Sequence, residues 1–250
     1  MQIFRQLKRY LIYKYKSKTN IDNLSGNFSN LSIDEIFKYF GTDKATKWKH
    51  GKNTGHGYSD YYEKHLKNYK DKKINILEIG SYAGASAASF IKYFPFSNVY
   101  CLDINLTNFK FISKNIKVFG LDVTKKRMIE NFYKKINISY DAPFFDIIID
   151  DGSHKLSDIL ISINTFFKNL KPSGFYIIED FKFPNYYKHL NDCSDIKIDE
   201  LLNFLKNKNF FKSNILSEEM IKFLIDSTAE VFQYRGLLSD SDIAFIKKLD

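Results

Sequence analysis

Cysteine is almost missing from this chain: Cys101 and Cys193 are the only two in 250 residues. They lie far apart and in no metal-ligand or redox spacing, which excludes a disulfide framework and a cysteine-based zinc site and favours a reduced, cytoplasmic setting. With four prolines, no segment is proline-rich, and neither low-complexity tracts nor repeats of 20 to 50 residues occur. No uncharged apolar run approaches the ~20 residues that cross a bilayer. The N-terminal MQIFRQLKRYLIYKYKSK interrupts its apolar residues with Arg and Lys, so it reads neither as a spanning helix nor as a signal peptide. Acid is the scarcer sign, 29 Asp and Glu against 38 Lys and Arg, and the net charge of +9 suits an anionic partner without choosing one.

What is present is apolar enough, at 44% hydrophobic residues, to bury a full core. The expected organisation is an N-terminal helical extension with a lid loop over 1–70 and one domain over 71–250. In the extension, Ile3, Phe4, Leu7, Leu11 and Tyr15 recur at helical spacing while Arg5, Lys8, Arg9, Lys14, Lys16 and Lys18 precede the first acid. Such a basic amphipathic helix packs on the domain or a partner subunit, as in a homodimer, or touches a membrane surface peripherally. Nucleic acid fits less well, because the aromatic and glycine signatures of RNA modules are lacking. LSIDEIFKYFG carries a capping box in Ser32 and Glu35 and a helix stop in Gly41. The glycine-, lysine- and histidine-rich stretch 41–58, which includes Trp48, His50, His56 and Tyr58, is expected to be a lid over the ligand site or an ordinary mobile loop.

From residue 74 short β-rich runs alternate with helical ones. The runs 74–80, 98–104, 116–121, 144–150 and 174–180 are apolar on both faces, as in a parallel sheet covered by helices on each side. AEVFQYRG and DIAFIKKL then follow each other closely enough to pair as an antiparallel hairpin. The expected fold is therefore α/β, doubly wound, with a mostly parallel seven-stranded Rossmann-like sheet that ends in that hairpin.

The first strand runs into a glycine turn and a helix in LEIGSYAGAS, where Gly80 and Gly84 allow tight turning and close approach of a ligand. Glu78 near the end of that strand would be costly without a ligand or backbone partner. Asp103, 23 residues after Gly80, ends the second strand, where a carboxylate can accept both ribose hydroxyls of an adenosine. These segments, E-I-G-S-Y-A-G and L-D-I with the terminal hairpin, resemble the class I S-adenosylmethionine (SAM) methyltransferases over residues 74–250. The resemblance implies that the glycine turn, with Gly80, Ser81, Tyr82, Gly84 and Ser86, passes under the methionine part of SAM, that Asp103 holds the ribose, and that Asp122 lies by the adenine.

Two further strands end in acids, Asp150 with Asp151 and Glu179 with Asp180. Ends of neighbouring strands lie roughly 5 Å apart, and four crowded carboxylates repel one another unless a cation sits among them. Oxygen ligands with open positions suit Mg²⁺ better than Zn²⁺. His154, three residues after Asp151, can reach back over such an ion and take a proton near neutral pH. Each residue also has a plainer reading: Asp150 contacting the cofactor, Asp151, Ser153 and Asp180 capping the following turns, His154 lying at the surface. D-D-G-S-H (150–154) and I-E-D (178–180), behind G-T-D-K and H-G-Y, resemble the metal-dependent sugar O-methyltransferases of the macrocin and mycinamicin type. That resemblance implies metal ligands Asp151, Glu179 and Asp180 and general base His154.

The expected function is SAM- and Mg²⁺-dependent O-methylation of a sugar, glycoconjugate or secondary-metabolite hydroxyl, with FKFPNYY (181–187) shaping the acceptor pocket. The other readings are an RNA methyltransferase, an NAD(P)-dependent oxidoreductase, disfavoured by the missing G-x-G-x-x-G, and a non-catalytic module recruited to membranes.

Overall fold

A computed structural model describes residues 2–48 and 53–250. The chain gathers into two compact units, one running to Asp122 and including Gly236–Ser239, the other comprising Val123–Arg235 and Asp240–Asp250.

The first unit begins with helix α1 (Gln2–Tyr15), followed by α2 (Ile33–Phe40) and α3 (Ser59–Leu66). The expected capping box starts α2: Ser32 Oγ accepts from the Glu35 amide and the Glu35 carboxylate accepts from the Ser32 amide at 2.8 Å. Gly41, at φ 77°, stops the helix in the left-handed region that glycine tolerates best. Strands β1 (Asn75–Ile79), β2 (Asn98–Asp103) and β3 (Ile116–Gly120) pair in parallel with β2 between the other two, and α4 (Ala85–Tyr93) crosses from β1 to β2. Ile76, Leu77, Val99 and Cys101 are fully buried in these strands, and Phe37, Tyr62 and Phe90 meet edge-on or tilted to join α2, α3 and α4.

The stretch 41–58 differs from a free loop. Lys47–Trp48 pairs antiparallel with Asn53–Thr54, and the amides of Gly55, His56, Gly57 and Tyr58 donate in turn to the carbonyls of Thr46, Asp43, Ala45 and Lys44. Its flanks are thus the two sides of a hairpin. A Cβ at position 55 would lie 2.0 Å from the Ala45 carbonyl oxygen, so glycine is required there. The tip, residues 49–52 with His50, lies outside the described residues.

α1 docks through a face other than its regular apolar stripe. Arg9 donates to the Ile104 carbonyl (3.4 Å), Tyr13 meets the Phe109 ring edge-on, and Lys16 just past the helix donates to the Thr107 carbonyl (3.0 Å). Phe4, Leu7, Leu11 and Tyr15 are exposed. Ile3 lies outside the residues whose side chains are described.

The second unit holds β4 (Phe145–Asp150), β5 (Leu170–Glu179), β6 (Thr228–Arg235) and β7 (Asp242–Lys248). β4 and β5 are parallel, while β7 runs antiparallel to both β5 and β6, so the terminal hairpin forms as expected and lies with β7 inside. Helices α5 (Lys126–Ile136), α6 (Leu156–Phe166), α7 (Phe183–Tyr186), α8 (Ile198–Lys206) and α9 (Glu218–Ser227) connect them. Ile147, Ile148, Ile149, Ile177 and Ile178 are fully buried, each contributing about 1.5–3 kcal/mol. β5 starts earlier than the sequence pattern indicates: residues 171–174 stand opposite Asp146 alone, and Lys171 pairs with the Asp146 carboxylate at 2.8 Å. Together the units supply the seven strands of the expected α/β fold. No helix of the described residues is long and apolar enough to cross a membrane. Cys101 is buried and Cys193 half-buried, both as free thiols.

Candidate functional site

In the first unit, the chain leaving β1 turns through three residues at positive φ, Gly80 (85°), Tyr82 (40°) and Gly84 (75°), before entering α4. The Gly80 and Ser81 amides both donate to the Leu102 carbonyl, and the Gly84 amide donates to the Ser81 carbonyl, which closes the turn. A Cβ on Gly84 would meet the Phe109 ring at 2.6 Å, so this glycine answers to its φ and to its neighbour's ring. Asp103 ties the turn to β2: Oδ2 accepts from the Tyr82 amide (2.7 Å) and Oδ1 from the Asn105 amide (2.6 Å). These two amides hold the carboxylate in one orientation.

Glu78 is fully buried, Ser81 and Ser86 are buried, and the Tyr82 ring is mostly exposed. Burial, with the charge of Glu78 beside it, pushes the Cys101 thiol well up, so this cysteine is an inert core residue. Asp122 follows β3 by two residues and is half-buried.

In the second unit, β4 ends on Asp150, a buried carboxyl whose Oδ1 accepts from the Gly152 amide at 3.3 Å. Burial pushes it up to about 7, against hydrogen bonding from Ser162 and Gly152 and with help from the Asp151 and Asp158 charges. After Asp151 the chain reverses through His154 at φ 57°, a left-handed conformation uncommon among non-glycine residues. Ser153 braces the reversal, its hydroxyl donating to Asp158 Oδ2 (2.5 Å) and accepting from the Lys155 amide (3.3 Å). β5 ends on Glu179, and Asp180, at φ 52°, directs the chain away.

These turns bring three side chains together. One ligand atom each from Asp151, His154 and Asp180 lies within 4.8 Å of the others, and the His154 Nε2 to Asp151 Oδ1 distance is 3.7 Å. Asp180 is only 5% exposed, so its charge lies where solvent screens it poorly. The two carboxylate oxygens are hard donors that fit a divalent cation such as Mg²⁺, and the imidazole stands close enough to act beside it. Glu179, also buried, is opposite Ile243 in the sheet register and is not one of the three. Successive strand residues point to opposite sides, so adjacent acids at a strand end do not automatically share a site.

One neighbour escaped the reading of single motifs. The Phe183 ring stands edge-on to the His154 ring at 5.0 Å between centroids, and Tyr187 stands edge-on to Phe183 at 5.3 Å. Both tyrosines of this segment are anchored: Tyr186 donates to Asp242 Oδ2 (2.7 Å) and Tyr187 donates to Asp240. Burial and the Asp242 hydrogen bond push the Tyr186 hydroxyl up to about 12. The signal was the aromatic run directly after Asp180; its contact with His154 was not readable from spacing.

No family model matches the chain. Among curated proteins it is similar to L-olivosyl-oleandolide 3-O-methyltransferase of Streptomyces antibioticus, at 30% identity over 179 residues covering 69% of this chain and 41% of that protein. Demethylmacrocin O-methyltransferase of Streptomyces fradiae is 26% identical over 193 residues, 74% of this chain and 42% of that one. Among solved structures, the MycE methyltransferase from the mycinamycin biosynthetic pathway, in complex with Mg, SAH and mycinamycin VI, superposes with a TM-score of 0.65 at 20% identity, covering 88% of this chain and 55% of that one. This chain spans from 31% to 42% of the length of the curated relatives it matches. The motif resemblance to sugar O-methyltransferases is borne out by these matches.

Proposed function

We propose that this chain, which has the class I methyltransferase fold and is similar to sugar O-methyltransferases, transfers a methyl group from SAM to a hydroxyl of a sugar, glycoconjugate or secondary metabolite. The observation that carries the reading is the grouping of Asp151, His154 and Asp180 at the ends of β4 and β5.

Asp103, held by the Tyr82 and Asn105 amides, is oriented to accept the ribose hydroxyls of SAM. Gly80, Ser81, Tyr82, Gly84 and Ser86 line the turn that takes its methionine part, with Glu78, Asp122 and Asp150 as the remaining cofactor contacts. Asp151 and Asp180 would hold Mg²⁺, while Glu179, the third ligand that the motif resemblance implies, lies outside the group they form with His154. When bound, that ion supplies Lewis acidity that lowers the pKa of the acceptor hydroxyl.

Methyl transfer from a sulfonium is an in-line displacement: the new C–O bond forms as the C–S bond breaks, and the hydroxyl proton must leave. His154 takes that proton on its imidazole. Asp151, 3.7 Å from Nε2, stabilises the imidazolium that results. Phe183 fixes the imidazole plane from one side and, with Tyr187, offers an aromatic wall to the apolar face of a sugar ring.

The test is methyl transfer from labelled SAM to a panel of glycosides, with Mg²⁺ and after chelation. Transfer that requires the metal and falls by about 10²–10⁴ in His154→Ala supports the assignment. Undiminished transfer under both conditions would overturn it.

A further inference from the structure

A helix turns by about 100° per residue, and on α1 this separates two faces cleanly. Arg9, Tyr13 and the following Lys16 make the contacts with the residues from Ile104 to Phe109. Phe4, Leu7, Leu11 and Tyr15 fall within an arc of about 80° on the opposite side. They are 80%, 53%, 43% and 78% exposed, so the regular apolar stripe of α1 points away from the unit it docks on. Lys8 borders the stripe on one flank and Lys14 on the other, both exposed, with Arg5 beyond Lys8. No acid occurs before Asp22.

We propose that this face of α1 binds an anionic lipid surface, with the helix lying in the interface plane and its apolar stripe set among the acyl chains. Apolar residues flanked by cations on both sides match a bilayer interface, where hydrocarbon lies beneath a layer of negative headgroups. A second copy of the chain fits less well. Pairing stripe to stripe would bring Lys8 and Lys14 of one copy against those of the other, with no acid on either segment to offset them. Tyr13 and Phe109 hold the helix in register so that the stripe faces outward before any surface is met.

The experiment is sedimentation of the full chain with phosphatidylcholine vesicles, with and without phosphatidylglycerol, at low and high salt. Binding that needs phosphatidylglycerol and weakens with salt is the expected result. Lys8→Gln and Lys14→Gln should each weaken it roughly fivefold, and Leu7→Glu with Leu11→Glu should remove it. Because these side chains are exposed, melting temperatures should stay unchanged, which separates loss of binding from misfolding. No partition into anionic vesicles, or equal partition of the Leu7→Glu/Leu11→Glu variant, overturns the proposal. So does a dimer in vesicle-free solution that the same variant dissociates, since the stripe would then be covered by another copy.

Discussion

Nε2 of His154 stands 3.7 Å from Oδ1 of Asp151, although the chain must enter the left-handed region at His154 to bring the two together. A non-glycine residue in that region costs about 1–2 kcal/mol, a strain often found where a side chain has to be aimed. His154→Gly should therefore hold or raise stability in urea unfolding by about 1 kcal/mol while abolishing turnover. His154→Ala keeps the strain and should lose activity without that gain. A glycine variant clearly less stable than the alanine one would refute this account of the turn.

Asp151 and Asp180 should be read out by a metal without any substrate. A ligand at 100 times its Kd stabilises by about 2.7 kcal/mol, or roughly 5–10 °C for a domain of this size. Mg²⁺ should raise the melting temperature of the wild type on that scale, and Asp151→Asn or Asp180→Asn should flatten the response. A response that survives both substitutions places the ion elsewhere.

Gly84 is committed to its place by φ 75° and by the Phe109 ring, which an added Cβ would approach to 2.6 Å. Gly84→Ala should cost roughly 2–4 kcal/mol. Combining it with Phe109→Leu should recover the steric part but not the φ part, so the double-mutant cycle should show a favourable coupling energy. Strict additivity would mean that the ring plays no part.

Asp34 clamps the 41–58 hairpin, accepting from the Thr46 amide (2.8 Å), the Thr46 hydroxyl (2.9 Å) and the Ser59 hydroxyl (2.8 Å), with Lys38 at 2.5 Å. Burial pushes its carboxyl up, but those donors together outweigh burial and hold it below the ordinary carboxylate value of 3.8. A depressed folded pKa contributes stability that is complete above 3.8 and disappears as the pH falls through the folded value. Asp34→Asn should thus be destabilising at pH 7, with the gap to the wild type narrowing below about pH 4. Denaturant titrations at several pH values measure this, and a gap independent of pH would contradict it.

Much of the scaffold was written in short-range pattern. The apolar run before Gly80, the capping box of Ser32 and Glu35, and the closely spaced terminal strands each carry their structure locally, and all three appear as expected. β5 was read short because Lys171, Pro172 and Ser173 look like a turn, yet the strand begins at Leu170 and runs on past them, with Ser173 at φ 60°. The docking face of α1 was hidden as well, since periodicity finds an apolar stripe but not which side of a helix meets its neighbour. At the acid cluster, residue types were legible and directions were not. Whether Asp180 rather than Glu179 joins Asp151 and His154 depends on side-chain alternation and a left-handed turn that no spacing rule encodes.

The contrast between the two thiols gives the protein a ready attachment point. With Cys101 sealed among β1–β3, a maleimide dye added to the folded chain should react at Cys193 alone. The adjacent Asp192 accepts from both the amide and the hydroxyl of Ser157 at the start of α6, close behind His154 in the chain. A fluorophore there would report, without further engineering, on rearrangements at the entrance to that helix.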